Sequence, residues 1–170
     1  MKIKAPKRRG EWVELRFMAA AAENDLHVTK PWGDSAQYDF ILEHQARLMR
    51  IQVKSTQFKC EGCYPCAVRG SHWRYAENAF DFLVVFVIPE DLWYIIPAHA
   101  FRGQASVALR PARNDSKYAK YLGAWSLLKG IPPDQEPEPD PSTEKSLALQ
   151  YPGRRLPCAT ANTTISEEKS

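Results

Sequence analysis

At 170 residues, with 44% hydrophobic and 25% charged positions, the chain is long enough for one globular domain with an appendage and too short for two full domains. Met1 to Gly10 is basic and polar with no apolar core directly behind it, which argues against a secretory signal, and the most apolar stretch, Phe80 to Phe101, is cut by Pro89, Glu90, Asp91 and Pro97, which argues against a membrane span. These features point to a cytoplasmic protein. The net charge of +3 is unevenly spread: residues 1–130 carry nineteen Lys/Arg against thirteen Asp/Glu, residues 131–170 four against seven. The basic part suits a polyanionic partner, although many soluble domains carry a similar surplus.

In chain order, Glu11 to Asn24 is expected to be helical, with Trp12, Leu15, Met18, Ala19 and Ala22 on one face. Leu26 to Lys30 reads as a short strand ending at Pro31, Gln37 to Glu43 and Leu48 to Thr56 as the next two, and Tyr64 to Arg69 as a weaker one. Asp81 to Ile88 and Leu92 to Ile96 are apolar runs around a Pro-Glu-Asp turn, the pattern of a hairpin. Asn114 to Lys129 is expected to be a second helix, capped by Asn114 or Asp115, burying Tyr118, Tyr121, Leu122, Trp125 and Leu128, with Gly130 just past its end. From Ile131 to Ser142 five prolines and four acids mark the start of a disordered tail over 131–170. The expected fold is mixed α/β (α+β), a central mixed sheet flanked by helices over residues 1–130.

The strand around Arg50 alternates: Met49, Ile51 and Val53 share one face, Arg50, Gln52 and Lys54 the other. If it pairs with the preceding strand through a loop centred between Gln45 and Ala46, Asp39 lies opposite Gln52 with Lys54 as its diagonal neighbour. Gln-Ala suits a two-residue turn poorly, so a four-residue loop with that centre is expected. A carboxylate, an amide oxygen and an ammonium gathered there can hold a hard cation and a water beside a phosphate, or can be an ordinary ion pair on an exposed strand.

The segments GEWVELRF, KPWGDSAQYDFIL and RLMRIQVKST, in this order, resemble the PD-(D/E)XK nuclease superfamily. The resemblance runs from about Gly10 to Pro97 and is greatest to the branch holding group I intron homing endonucleases, with a more distant similarity to archaeal Holliday-junction resolvases. It implies a restriction-endonuclease-like core and a Mg²⁺-dependent enzyme, with Mn²⁺ as a substitute, that cuts double-stranded DNA. Cutting both strands implies a homo-oligomer, a dimer or tetramer. It further implies Asp39 as a metal-binding aspartate, Lys54 as the motif lysine, the Val53 carbonyl as a further ligand, and Glu14 as the helix-borne glutamate. Periodicity does not separate Glu14 from Glu11; the spacing from Gly10 selects Glu14. Gln52 stands where the superfamily has a second acid, a substitution that the homing branch shares and that removes one negative charge from the site.

Lys30, Trp32, Ser35, Arg69 and Arg74 are the expected nucleic-acid contacts, and Lys4, Lys7, Arg8, Arg9 and Trp73 are further basic or aromatic candidates. The loop Trp32-Gly33-Asp34-Ser35 is the best placed, directly before the Asp39 strand. Cys60, Cys63 and Cys66 have C-x2-C-x2-C spacing; Arg69 stands where an iron–sulfur run needs a fourth cysteine, and His72 or Cys158 would have to complete a zinc site. Reduced loop thiols are the plainer reading. Two other functions therefore stay open: a nuclease fold kept for DNA binding after loss of cleavage, and a zinc-stabilised interaction protein.

Overall fold

The computed structural model describes residues 3–33, 35–68, 75–76 and 78–131. The Pro/acid-rich tail, Arg69, His72, Trp73, Arg74 and Cys158 lie outside them. The first element, α1, spans Pro6–Glu23, five residues longer at its start than the apolar pattern, because Pro6 fixes the helical φ of the first turn. Strands follow at His27–Thr29 (β1), Phe40–His44 (β2), Arg47–Thr56 (β3), Tyr64–Ala67 (β4), Phe82–Val87 (β5), Leu92–Pro97 (β6) and Ser106–Leu109 (β7).

Five strands form one sheet in the order β1-β2-β3-β5-β6, with β3 and β5 parallel and every other pair antiparallel; β4 and β7 form a separate antiparallel ribbon. The mixed α/β architecture with a central mixed sheet is the one expected. β3 is its axis. Met49, Ile51 and Val53 pack into a core with Val13 and Phe17 of α1, Phe40, Leu42 and Trp93. The opposite face of β5 and β6, Leu83, Val85, Tyr94 and Ile96, packs with Tyr64 and Cys66 of β4 and Val107 and Leu109 of β7. A strand covered on both sides must be apolar on both sides, and β5 is buried throughout.

The buried stripe of α1 is a different one from that expected. Val13, Phe17 and Ala21 face the sheet, while Leu15 and Met18 are 65% and 39% exposed. An alanine-rich helix has weakly distinguished faces, and here aromatic contacts decide: Phe17 lies against Phe40, Trp93 and Trp125 with ring centroids 5.2–6.1 Å apart.

The second helix does not form. Residues 114–129 instead make two single 3-10 turns, Ala119–Tyr121 and Trp125–Lys129, separated by Gly123 at φ 67°. The Gly123 N–H donates to the Trp93 carbonyl at 2.8 Å, and Leu122 pairs with Tyr94, so the chain clings to β6 rather than continuing a helix. Asp115 pairs with Arg113 instead of capping. Tyr118, Tyr121 and Leu128 are still buried, because a 3-10 turn keeps an i, i+3 stripe. Gly130 ends the segment at φ 82°, as expected of it. β7 was not foreseen, being only four residues long and buried at just two of them.

The β2–β3 hairpin has the expected register, Phe40 opposite Ile51 and Ile41 opposite Arg50. The four-residue loop is not found. His44 pairs with Arg47, leaving a two-residue turn in which Gln45 and Ala46 both take positive φ, 47° and 62°. These are the angles of a type I′ turn, whose twist matches that of the strands; the favourable register outweighs the strain at two non-glycine residues. The β5–β6 connection is the single turn Ile88–Glu90 closed by Asp91 at φ 52°.

Candidate active site

Asp39 stands one residue before β2, and its N–H still donates to the Ile51 carbonyl at 2.9 Å, so its position is fixed by the hairpin ladder. That ladder sets Asp39 opposite Gln52 on β3. The Gln52 amide, only 5% exposed, donates from Nε2 to Asp39 Oδ2 at 2.5 Å, and the Val53 N–H donates to the same oxygen at 2.7 Å. Gln52 Nε2 also reaches the Val53 carbonyl at 3.3 Å. The polar face of β3 is thus enclosed at Gln52, where an exposed strand had been the simpler expectation.

Burial pushes the Asp39 carboxyl up to about 6, and the nearby Glu14 charge pushes the same way. The Val53 N–H and the charges of Lys54 and Lys30 oppose this without cancelling it. A carboxyl raised by enclosure in a cleft, among charged neighbours, is a candidate for a functional group.

Glu14 comes from α1. Pro6, Gly10, Val13 and Glu14 follow one another at helical spacing along the wall of a cleft of about 260 Å³, whose other wall is Asp39, Gln52, Val53, Lys54 and Ser55. Glu11 is exposed and does not line it, so the helix orientation selects Glu14 where periodicity could not. Glu14 Oε2 accepts a hydrogen bond from Lys30 Nζ at 2.7 Å, and Lys30 also sits 5.8 Å from the centre of the Phe40 ring. Lys54 has its ammonium 5.6 Å from the centre of the Tyr75 ring, a contact the sequence reading missed. Its one signal there is an aromatic just beyond the basic run that ends at Arg74.

The structure therefore brings Glu14, Asp39, Gln52, Val53 and Lys54 to one cleft, with Lys30 at its edge. Trp32 and Ser35 lie on the exposed loop between β1 and Asp39, and the Trp32 side chain is fully exposed. Among the described residues no group of three His, Cys, Asp or Glu side chains converges, which leaves the zinc reading of Cys60, Cys63 and Cys66 without a supporting cluster there. Glu14 and Asp39 put two carboxylates on the walls of this cleft beside Val53, and oxygen donors are the kind a hard divalent cation prefers.

A family model described as PD-(D/E)XK endonuclease matches residues 4–128. Among solved structures, the bacterial homing endonuclease I-Ssp6803I is similar with a TM-score of 0.66 at 24% identity, over 74% of this chain and 94% of that one. No curated protein sequence matches the chain. The family match spans α1, the hairpin with Asp39, Gln52 and Lys54, and the rest of the sheet, and the fold agrees with it: this chain belongs to the PD-(D/E)XK endonuclease family.

Proposed function

We propose that the chain is a Mg²⁺-dependent endonuclease, with Mn²⁺ able to substitute, that hydrolyses phosphodiester bonds in double-stranded DNA. The observation that carries this is the convergence of Glu14, Asp39, Gln52, Val53 and Lys54 in one cleft, with the Asp39 carboxyl held near 6. Asp39, Glu14 and the Val53 carbonyl would hold the ion, which when bound supplies charge neutralisation and a more acidic water. In the hydrolysis a water oxygen bonds to phosphorus and the bond to the leaving sugar oxygen breaks. Lys54 lends positive charge to the phosphate oxygens as negative charge grows on them. Gln52 holds the Asp39 carboxylate in place.

The surroundings support a polyanionic substrate. Lys7, Arg8 and Arg9 occupy the first turn of α1, which holds no acid. Cations at a helix N-terminus oppose the helix dipole, so this placement costs stability and favours an external anion beside the cleft. Lys30, Trp32 and Ser35, with Arg69 and Arg74, are proposed as further DNA contacts. A homing role is supported by the fold shared with I-Ssp6803I. Cutting both strands calls for two sites, hence a homo-oligomer. Among the described residues no helix is long and apolar enough to cross a membrane, and a cytoplasmic location is the proposed one.

One observation favours a second reading: the neutral Gln52 removes a negative charge from the cleft and so weakens ion binding, which suits a nuclease fold kept for DNA binding. The test is incubation with supercoiled plasmid in Mg²⁺ or EDTA, beside Asp39→Asn and Lys54→Ala. Nicking that needs Mg²⁺ and is lost in both variants supports the enzyme. Binding of several DNA substrates without cutting establishes the binding module. Equal cutting by wild type and both variants rules out this site.

A further inference from the structure

The turn between β3 and β4 carries a pair of thiols that the nuclease chemistry does not use. Cys60 and Cys63 exchange both backbone hydrogen bonds, N–H of Cys60 to the carbonyl of Cys63 at 2.8 Å and the reverse at 2.9 Å. Between them Glu61 and Gly62 take φ of 48° and 74°, so the four residues form a tight hairpin of the type I′ kind. Residues that exchange both bonds in this way stand directly opposite, with side chains on the same face and Cα atoms about 5.5 Å apart. That lies inside the 4.4–6.8 Å range of Cα separations that disulfides span, so closing the bond needs only the two Cβ atoms drawn slightly together across the turn. The Cys63 thiol already leans toward its partner, with Sγ donating to the Cys60 carbonyl at 3.1 Å.

Accessibility separates this pair from the third cysteine. Cys60 is exposed and Cys63 partly so. Cys66, on the inward face of β4, is buried among apolar side chains, and this burial pushes its thiol up to about 12. Among the described cysteines, Cys60 and Cys63 combine access to solvent with a facing partner, which is what oxidation of a dithiol requires.

We propose that Cys60 and Cys63 form a dithiol that is oxidised reversibly to an intramolecular disulfide by a low-molecular-weight disulfide such as oxidised glutathione. The Cys60 thiolate attacks one sulfur of glutathione disulfide and releases one glutathione thiolate, leaving a mixed disulfide on Cys60. Cys63 gives its proton to water and attacks the Cys60 sulfur, releasing the second glutathione. Two cysteine thiols are oxidised and one glutathione disulfide is reduced to two thiols. The loop that closes holds only Glu61 and Gly62, so the bond gains little from restricting the unfolded chain, and its role is a labile modification rather than a structural staple.

The test uses the full chain, which includes Cys158, exposed to oxidised glutathione, alkylated, digested and analysed by mass spectrometry. The expected result is a peptide with Cys60 and Cys63 both unalkylated and joined to each other, restored to the doubly alkylated form by a dithiol reductant. The Cys63→Ser variant is expected to keep a glutathione adduct on Cys60 that wild type does not accumulate. Pairing of either residue with Cys66 or Cys158, or full alkylation of both after oxidant treatment, overturns the proposal. So does a wild-type chain that keeps glutathione on Cys60 as the variant does.

Discussion

The side-chain amide of Gln52 donates its hydrogen to the carboxylate of Asp39 across the β2–β3 hairpin at 2.5 Å, Gln52 being buried and Asp39 half-buried at the wall of the cleft. A neutral donor is what a partly buried carboxylate tolerates best when no cation is present. An acid at the same place would press two carboxylates together, and one of them would have to keep its proton.

It follows that Gln52→Glu destabilises the metal-free protein at pH 7.5, by about 1–3 kcal/mol, the usual cost of leaving a buried polar group unsatisfied. The loss should shrink when Mg²⁺ is added, since an added carboxylate is a ligand as well as a repeller. Thermal denaturation in EDTA and in Mg²⁺ measures both effects. A variant equally stable with and without the ion would show that position 52 does not face the cation.

The pH dependence of Asp39 has a definite sign. Its carboxyl titrates near 3.8 when unfolded and near 6 when folded, so between those values the folded chain binds the extra proton. Stability therefore falls as pH rises from about 4 to about 6, and the full penalty applies above that. At roughly 1.4 kcal/mol per pH unit the penalty is on the order of 3 kcal/mol in the absence of metal. Asp39→Asn should thus stabilise the metal-free protein at pH 7.5, leave it unchanged at pH 4, and remove cleavage. Urea denaturation at the two pH values checks the first two, and plasmid nicking the third. Because a cation must displace the same proton, wild-type cleavage should also decline below pH 6.

Gly10 lies in the interior of α1 and at the wall of the cleft, and a Cβ there would meet no atom within 4 Å. Gly10→Ala should stabilise the helix by about 0.5–1 kcal/mol with cleavage nearly intact. Gly10→Leu should be equally stable yet lose cleavage at least tenfold, because its side chain projects into the opening. Denaturation and nicking assays on the pair separate space from helix propensity; equal activity in both variants would remove Gly10 from the site wall.

The turn at Gln45 and Ala46 places two ordinary residues in the left-handed region. Replacing them with Asn and Gly should stabilise the protein by up to about 2–4 kcal/mol, at roughly 1–2 kcal/mol per strained residue. Register is already set by the strands, so nicking should not change. A drop in nicking would mean that the strained turn tunes the position of Asp39.

Much of the site was legible because its residues sit within one hairpin. Alternation on β3 and a hairpin centred between Gln45 and Ala46 were enough to oppose Asp39 and Gln52, and the family resemblance added Glu14. What sequence could not supply was tertiary. The orientation of α1 depended on Phe17 meeting Phe40 and two tryptophans, none of them near it in the chain. In place of the second helix, Gly123 bonds to Trp93 and Leu122 pairs with Tyr94, residues about thirty positions earlier in the chain. Local propensity favoured a helix there, and a long-range backbone contact overrode it.

β3 feeds both layers of the protein: Met49, Ile51 and Val53 turn toward α1, while Gln52 and Lys54 alternate with them. A single residue inserted or deleted inside this strand would exchange the two sets, sending an ammonium and an amide into an apolar layer and apolar side chains into the cleft. An added residue is therefore expected to be tolerated outside β3, for instance between Thr56 and Tyr64, a stretch that contributes no residue to the cleft.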